Sequence, residues 1–244
     1  MFDFCAIIGK IKNTGIYEGA MNTINIEDTV LYEDKYILVC QKPAGFPVQS
    51  KRLGTLDMEC ALRNYLAKKG QEPYVAVIHR LDQPVQGVLV FAKDKESAAK
   101  LSKQMQQGKF EKTYLAYTQG HTDKKQETLI DELEKDGRTN TSKVVAKKTA
   151  NSKRAELSYK VLKETEEGSL LEVSLKTGRH HQIRVQLAHA GLPIFGDAKY
   201  NVKCTKEDAN HGVSLCAYKL SFLHPAKGKK MEFQVMPVGN FPIV

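Results

Sequence analysis

The chain has 244 residues, 37 of them Lys or Arg and 28 Asp or Glu, for a net charge of +9, with 41 % apolar residues. That is enough for one large domain or two small ones, and the basic balance is the electrostatic footprint of a polyanionic partner. No apolar run approaches the ~18 residues of a membrane span, and the five scattered cysteines (Cys5, Cys40, Cys60, Cys204, Cys216) contain no C-x-x-C pair, which suits a reducing cytoplasm better than a zinc ribbon or a disulfide scaffold.

Residues 1–20 fit poorly with the rest of the chain and read as an N-terminal extension of doubtful origin; a natural-looking start is Met21, making 21–244 the main domain. Tyr36 to Cys40 is a short apolar, β-branched run closed by the turn residues Lys42-Pro43-Ala44-Gly45. Thr55 to Lys69 is expected to be a helix with Leu56, Cys60, Leu62 and Leu66 on one face and Gly70 as its stop. Tyr74 to Ile78 reads as a strand, Arg80 to Gln86 as a loop, and Gly87 to Lys93 as a buried strand. Asp94 can cap a helix carrying Ala98, Leu101 and Met105 inward, with Gly108 at its end. Lys112 to Gln119 returns as a strand whose alternation sets Tyr114 opposite Leu115 and Tyr117.

The lysine-rich stretch from Gly120 to Arg154 is expected to be irregular β-structure or long loops. Ala155 to Leu162 and Leu170 to Leu175 read as paired strands, Thr177 to His180 as a turn, and His181 to Ala190 as a helix with Ile183, Leu187 and Ala190 inward. Leu215 to Leu223 and Met231 to Val235 supply two last strands. Strands joined by short turns outnumber helices, so the expected class is α+β: a mixed, mostly antiparallel sheet with flanking helices.

Several common machines are missing. There is no phosphate-binding G-x-x-x-x-G-K-[ST] loop, no G-x-G-x-x-G, no H-E-x-x-H and no G-x-S-x-G. No cofactor is expected. A metal site at His180, His181 and His189 is not expected either, since helical spacing does not converge them. What remains is carboxylate, tyrosine and arginine chemistry. Asp82 lies in a loop held by apolar strands on both sides, where function concentrates, although a lone Asp before Pro84 is as readily a turn residue. Tyr114 could stack on a base, or be ordinary strand composition. Thr177 to Arg184 places two arginines at a helix start that favours anions. There Arg184 could pair with a carboxylate and hold it ionised and aimed.

Together these residues carry a resemblance. Val77 to Lys93 (VIHRLDQPVQGVLVFAK), Glu111 to Tyr117 (EKTYLAY) and Leu175 to Tyr200 (LKTGRHHQIRVQLAHAGLPIFGDAKY) look like the three signature segments of the RluA-type pseudouridine synthases. Lys42 to Val48 resembles that family's opening turn, and Leu220 to Pro225 its closing segment. The resemblance implies the pseudouridine synthase fold and isomerisation of a uridine in structured rRNA or tRNA by base flipping. It implies Asp82 as the catalytic carboxylate, nucleophile or base, with Arg184 pairing it and Tyr114 stacking on the uracil and helping with the C5 proton. Arg80, Arg179 and Lys42 are the expected RNA contacts. A monomer in the cytoplasm, without the family's S4-like module, is expected.

Two positions depart from the family pattern: Val85-Gln86 where Thr-Ser usually precedes the glycine, and Cys216 where His is frequent. Both are expected at the edge of the site. They favour a rival, a catalytically silent RNA-binding protein of the same fold. A second rival, a cofactor-free hydrolase of nucleosides or glycosides, would require a second catalytic carboxylate beside Asp82.

Overall fold

The structure is a computed structural model and describes residues 24–242 apart from 51 and 53. The expected extension 1–20 and the start at Met21 lie outside the described residues. Among the described residues, eleven strands form one sheet in the order β1-β2-β4-β10-β5-β9-β8-β6-β7, with β3 (Ala76–Val77) on β4 and β11 (Lys230–Gln234) on β10. The path runs β1 (Val30–Glu33), β2 (Ile37–Lys42), β4 (Gln86–Ala92), β10 (Leu215–Leu223), β5 (Glu111–Gln119), β9 (Gly168–Leu175), β8 (Ser152–Glu164), β6 (Gln126–Asp136), β7 (Thr141–Val145). All pairs are antiparallel except β4 with β10, which meet in parallel at Gln86–Cys216 and Gly87–Ala217. The expected α+β class holds.

The sheet is covered on both faces at its centre, which is why β4 is buried over its whole length and shows no alternation. On one face pack α1 (Met58–Lys68) and α3 (Gln182–His189), sharing a core with Leu38, Leu89, Tyr114 and Val173. On the other, α2 (Lys95–Gln106) brings Leu101 against Val39, Val90, Leu115 and Tyr117. Tyr114 and its neighbour Leu115 thus enter different cores, as strand alternation requires. Both faces at this point are apolar, however, and Tyr114 is itself buried.

Helix starts follow their caps. Asp57 accepts from the backbone N–H of Cys60, and Asp94 from that of Ser97. The inward face of α1 is Met58, Ala61, Leu62, Tyr65 and Leu66, whereas Leu56 and Cys60 are exposed. Leu56 precedes the cap, so its side chain is not on the helix at all. Ala190 is likewise exposed, because the helix has ended at His189.

The expectation for Gly120 to Arg154 is corrected. This stretch contains two regular strands, β6 and β7, in register from Glu132–Val145 to Asp136–Thr141. Its period is hidden in sequence because few apolar side chains turn inward: Leu129 against the core under α1 and α3, and Leu133 and Val144 onto Val185 and Tyr200 of the α3 region. A further helix, α4 (Lys206–His211), carries a complete capping box between Thr205 and Asp208.

Candidate active site

The site lies where the loop entering β4, strand β5 and the start of α3 converge on one face of the sheet. The loop is held from below. Val85 donates its N–H to the Asp82 carbonyl at 3.0 Å, closing a turn, and Gly45 donates to the Gln83 carbonyl at 2.9 Å. Leu81 and Val85 are buried in the core, while the Asp82 side chain is 27 % exposed. Sequence spacing alone leaves Asp82 as plausibly a turn residue. It is both a turn residue and the half-open carboxylate of the site.

Arg184 sits in the first turn of α3, which is buried all round from Gln182 to Leu187. It donates Nη1 to Asp82 Oδ2 at 3.2 Å. Its Nε and Nη2 grip the two oxygens of Asp197 at 2.7 Å each. Burial works against the guanidinium's charge, but the two carboxylates prevail and raise its pKa. A bidentate pair of this kind fixes the direction of the third donor. Asp197 is fixed in turn by Lys199, whose N–H it accepts at 3.1 Å, and its side chain is 1 % exposed.

His181 lies on the other side of Asp82, its Nε2 at 3.7 Å from the same Oδ2. Burial, with Arg184 adding to it, holds the imidazole pKa below its usual value, against the pull of Asp82. Tyr200 bonds His181 Nδ1 through its hydroxyl at 2.7 Å and stacks under the Arg184 guanidinium, 5.2 Å from ring centroid to Cζ. Both contacts of Asp82 therefore fall on Oδ2. Among the described residues Oδ1 has no hydrogen-bond partner. Tyr114 faces the same space. Burial and the Asp82 charge push its hydroxyl well above the usual phenol range, and among the described residues the hydroxyl has no partner.

The expected RNA contacts divide. Arg80 is exposed and, among the described residues, without an acidic partner. Arg179 is exposed too, its Nε given to the Arg154 carbonyl at 2.9 Å. Lys42 is a correction. It is 0 % exposed, and its ammonium donates to the carbonyls of Pro43, Phe46 and Gln83 at 2.7, 2.6 and 2.9 Å. Burial pushes its pKa down to about 7, against the pull of Asp82. Three carbonyl acceptors match the three donors of an ammonium, so Lys42 is a strut under the Asp82 loop and is out of reach of a phosphate.

The two departures from the family pattern are both buried. Cys216 is fully buried in the opposite core beside Leu115, where burial pushes its thiol up to about 12. Val85 is a core residue. Gln86 is also buried, and its amide pairs with both backbone groups of Val238, donating to the carbonyl at 3.1 Å and accepting the N–H at 2.9 Å. These residues anchor strands and the C-terminal segment. Sequence reasoning passes over Asp197, His181 and Tyr200. The one available signal is Arg184: a buried arginine near a helix start requires an acid to pair with it.

The family described as RNA pseudouridylate synthase matches residues 36–189, more than half of the chain. The chain belongs to the RNA pseudouridylate synthase family. It is 33 % identical over 205 residues to an RNA pseudouridine synthase of Mycoplasma pneumoniae, covering 84 % of this chain and 65 % of that protein. It is 33 % identical to the ribosomal large subunit pseudouridine synthase C of Buchnera aphidicola, with 85 % and 67 % covered. Against the tRNA pseudouridine synthase C of Haemophilus ducreyi the identity is 32 %, over 86 % of this chain and 91 % of that one. The chain thus spans about two thirds of the first two pseudouridine synthases and most of the third. The human RNA pseudouridylate synthase domain containing 1 shares the fold, with a TM-score of 0.73 at 23 % identity over 89 % of this chain and 86 % of that one.

Proposed function

We propose that this family member isomerises a uridine within structured RNA to pseudouridine. The glycosidic C1′–N1 bond breaks, the uracil turns, and a C1′–C5 bond forms; C5 loses a proton and N1 gains one. The observation that carries the reading is the asymmetry of Asp82. A buried, doubly anchored arginine holds one carboxylate oxygen and leaves the other free at the mouth of the site. Such a carboxylate is aimed and accessible, which is what attack or proton abstraction at a sugar requires.

Tyr114 serves as the platform for the flipped base. Its raised pKa keeps the hydroxyl protonated near neutrality, so it acts by stacking and as a hydrogen-bond donor rather than as a resting phenolate. Arg80, beside the Asp82 loop, fills the gap left by the flipped nucleotide or grips its phosphate, and Arg179 adds a backbone contact. Residues 21–244 form the catalytic unit, with no cofactor. One chain supplies Asp82, Tyr114 and Arg184, so a monomer is sufficient. The free cysteines Cys40, Cys60, Cys204 and Cys216 suit a cytoplasmic protein, and no described helix is long and apolar enough to cross a membrane. The RNA is ribosomal or transfer RNA, the two classes named for the relatives.

The silent-protein reading is the weaker one, since the Gln86 amide is spent on Val238 and the Cys216 thiol is buried in the opposite core. The hydrolase reading needs a second accessible carboxylate. Asp197, the acid adjacent to the pair, has both oxygens on Arg184 and is sealed from solvent. The test is Asp82→Asn assayed by tritium release from 5-labelled uridine RNA. Release is expected to vanish while RNA affinity stays within about threefold; full release from the variant refutes the assignment.

A further inference from the structure

His181 is held more tightly than a bystander in the site would be. Its backbone is left-handed, at φ 53°, a region uncommon for residues other than glycine, though His enters it more readily than most. It occupies the position before α3 without capping the helix through its side chain. Its ring stacks on that of His180, with centroids 3.7 Å apart. The geometry therefore fixes where both ring nitrogens point.

The hydrogens can be accounted for. The Tyr200 hydroxyl accepts the backbone N–H of Ser142 in β7 at 2.8 Å. Its own proton then has one acceptor among the described residues, His181 Nδ1 at 2.7 Å. With Nδ1 accepting, the neutral imidazole carries its proton on Nε2, the nitrogen facing Asp82. The opposite tautomer would turn an imidazole lone pair toward a carboxylate and leave the tyrosine proton without a partner. The other charged or titratable groups around the ring are Arg184, His180 and Lys199. Two of these are cations, and they oppose an imidazolium.

We propose that His181 is a positioning residue for Asp82: a neutral imidazole, locked as the Nε2–H tautomer by the Ser142–Tyr200 chain, that together with Arg184 confines the carboxylate to contacts through Oδ2 and so reserves Oδ1 for the uridine. This rests on the proposed reaction. The 3.7 Å separation is longer than a direct hydrogen bond, so His181 acts on Asp82 through the direction of its Nε2–H. The chain begins on the β6–β7 hairpin, where Ser142 Oγ also donates to the His180 carbonyl at 3.0 Å. Correct seating of the hairpin and correct aim of the carboxylate are therefore one condition.

The tautomer is read directly from the ¹⁵N shifts of the His181 ring in the full-length protein. At neutral pH a protonated Nε2 and an unprotonated Nδ1 are expected. Tyr200→Phe removes one oxygen and keeps the ring under Arg184. It is expected to mix the two tautomers and lower kcat about tenfold with little change in KM, the scale of one lost hydrogen bond. His181→Gln, whose amide can still donate toward Asp82, should retain more kcat than His181→Phe. A wild-type ring with Nδ1 protonated overturns the proposal, as does a Tyr200→Phe enzyme with unchanged kcat. The spectrum needs no turnover. An inactive wild type would thus refute the reaction while the tautomer is still decided.

Discussion

Arg184 gives two of its three hydrogen bonds to Asp197, at 2.7 Å each, and only the longest, at 3.2 Å, to Asp82. The proposed catalytic carboxylate is the weaker partner of the arginine that aims it. Asp197 carries the structural load and Asp82 stays free to react. Asp197→Asn keeps the shape but leaves a buried guanidinium without its main counter-charge. Breaking a buried pair in this way costs about 3–5 kcal/mol, so urea midpoint and activity should fall together. Asp82→Asn should leave the urea midpoint nearly unchanged, because its side chain is partly hydrated and its loop is held by backbone bonds. A stable, active Asp197→Asn protein would show that Asp82 alone secures Arg184.

Lys42 and Arg80 both look in sequence like cations waiting for phosphate, and the structure separates them. Arg80→Ala should weaken RNA binding and reduce the slope of log affinity against log salt by about one, as expected when a single phosphate contact is lost. Lys42→Met should leave the salt slope as it is and lower thermal stability, because three carbonyls and the turn 43–46 lose their common donor. The comparison requires only filter binding at several salt concentrations and one melting curve for each variant. A reduced salt slope in Lys42→Met would return that residue to the RNA surface.

Gly87 has a steric reason to be glycine. Its φ is +133°, and a Cβ there would lie 2.3 Å from the Ala217 carbonyl oxygen and 2.5 Å from its nitrogen. This is the one place where β4 and β10 touch in parallel, five residues after Asp82. Gly87→Ala should push the two central strands apart and destabilise the fold by about 3 kcal/mol or more. Gly120→Ala, at φ +94° in open space, should cost about 1 kcal/mol. Parallel thermal melts decide, and equal losses at the two sites would refute the close-approach argument.

Asp82, Tyr114 and Arg184 are legible in sequence because each carries reactive chemistry and sits in an ordered motif. Asp197 lies within the Leu175 to Tyr200 segment and is silent there, since an aspartate after glycine reads as turn chemistry and nothing local shows that it faces an arginine thirteen residues back. Lys42 misleads for the opposite reason. Its charge is obvious in sequence, whereas the carbonyls that consume it belong to a turn whose geometry is not. Strand β4 is clear from its unbroken apolar run. The β6–β7 hairpin is not, because three inward apolar side chains in sixteen strand residues are too few to set a period. Local pattern reports burial well, but it reports poorly which polar group meets which across the sheet.

The buried histidines make the fold sensitive to mild acid. His79, three residues before Asp82, is buried, accepts the Val90 N–H at 3.4 Å and stacks edge-on against Phe110. Burial pushes its pKa down to about 3, with Lys112 adding to the effect, and His181 is lowered in the same direction. The native state thus refuses protons that the unfolded chain accepts at about 6.5. Stability from this source is complete above about pH 6.5 and is lost as pH falls toward about 3 for His79 and about 4 for His181, at about 1.4 kcal/mol per pH unit for a sealed histidine such as His79. Glu33, held down to about 2 by Lys69, Lys93 and Tyr65 despite its burial, adds its loss below about pH 4.5. The melting temperature is therefore expected to be level between pH 7 and 8 and to decline from about pH 6 downward, ahead of any carboxylate titration. His79→Gln, which can still accept from Val90 but binds no proton, should flatten the decline between pH 6 and 5. A wild-type melting temperature that holds constant down to pH 5 would mean that neither imidazole is sealed as described.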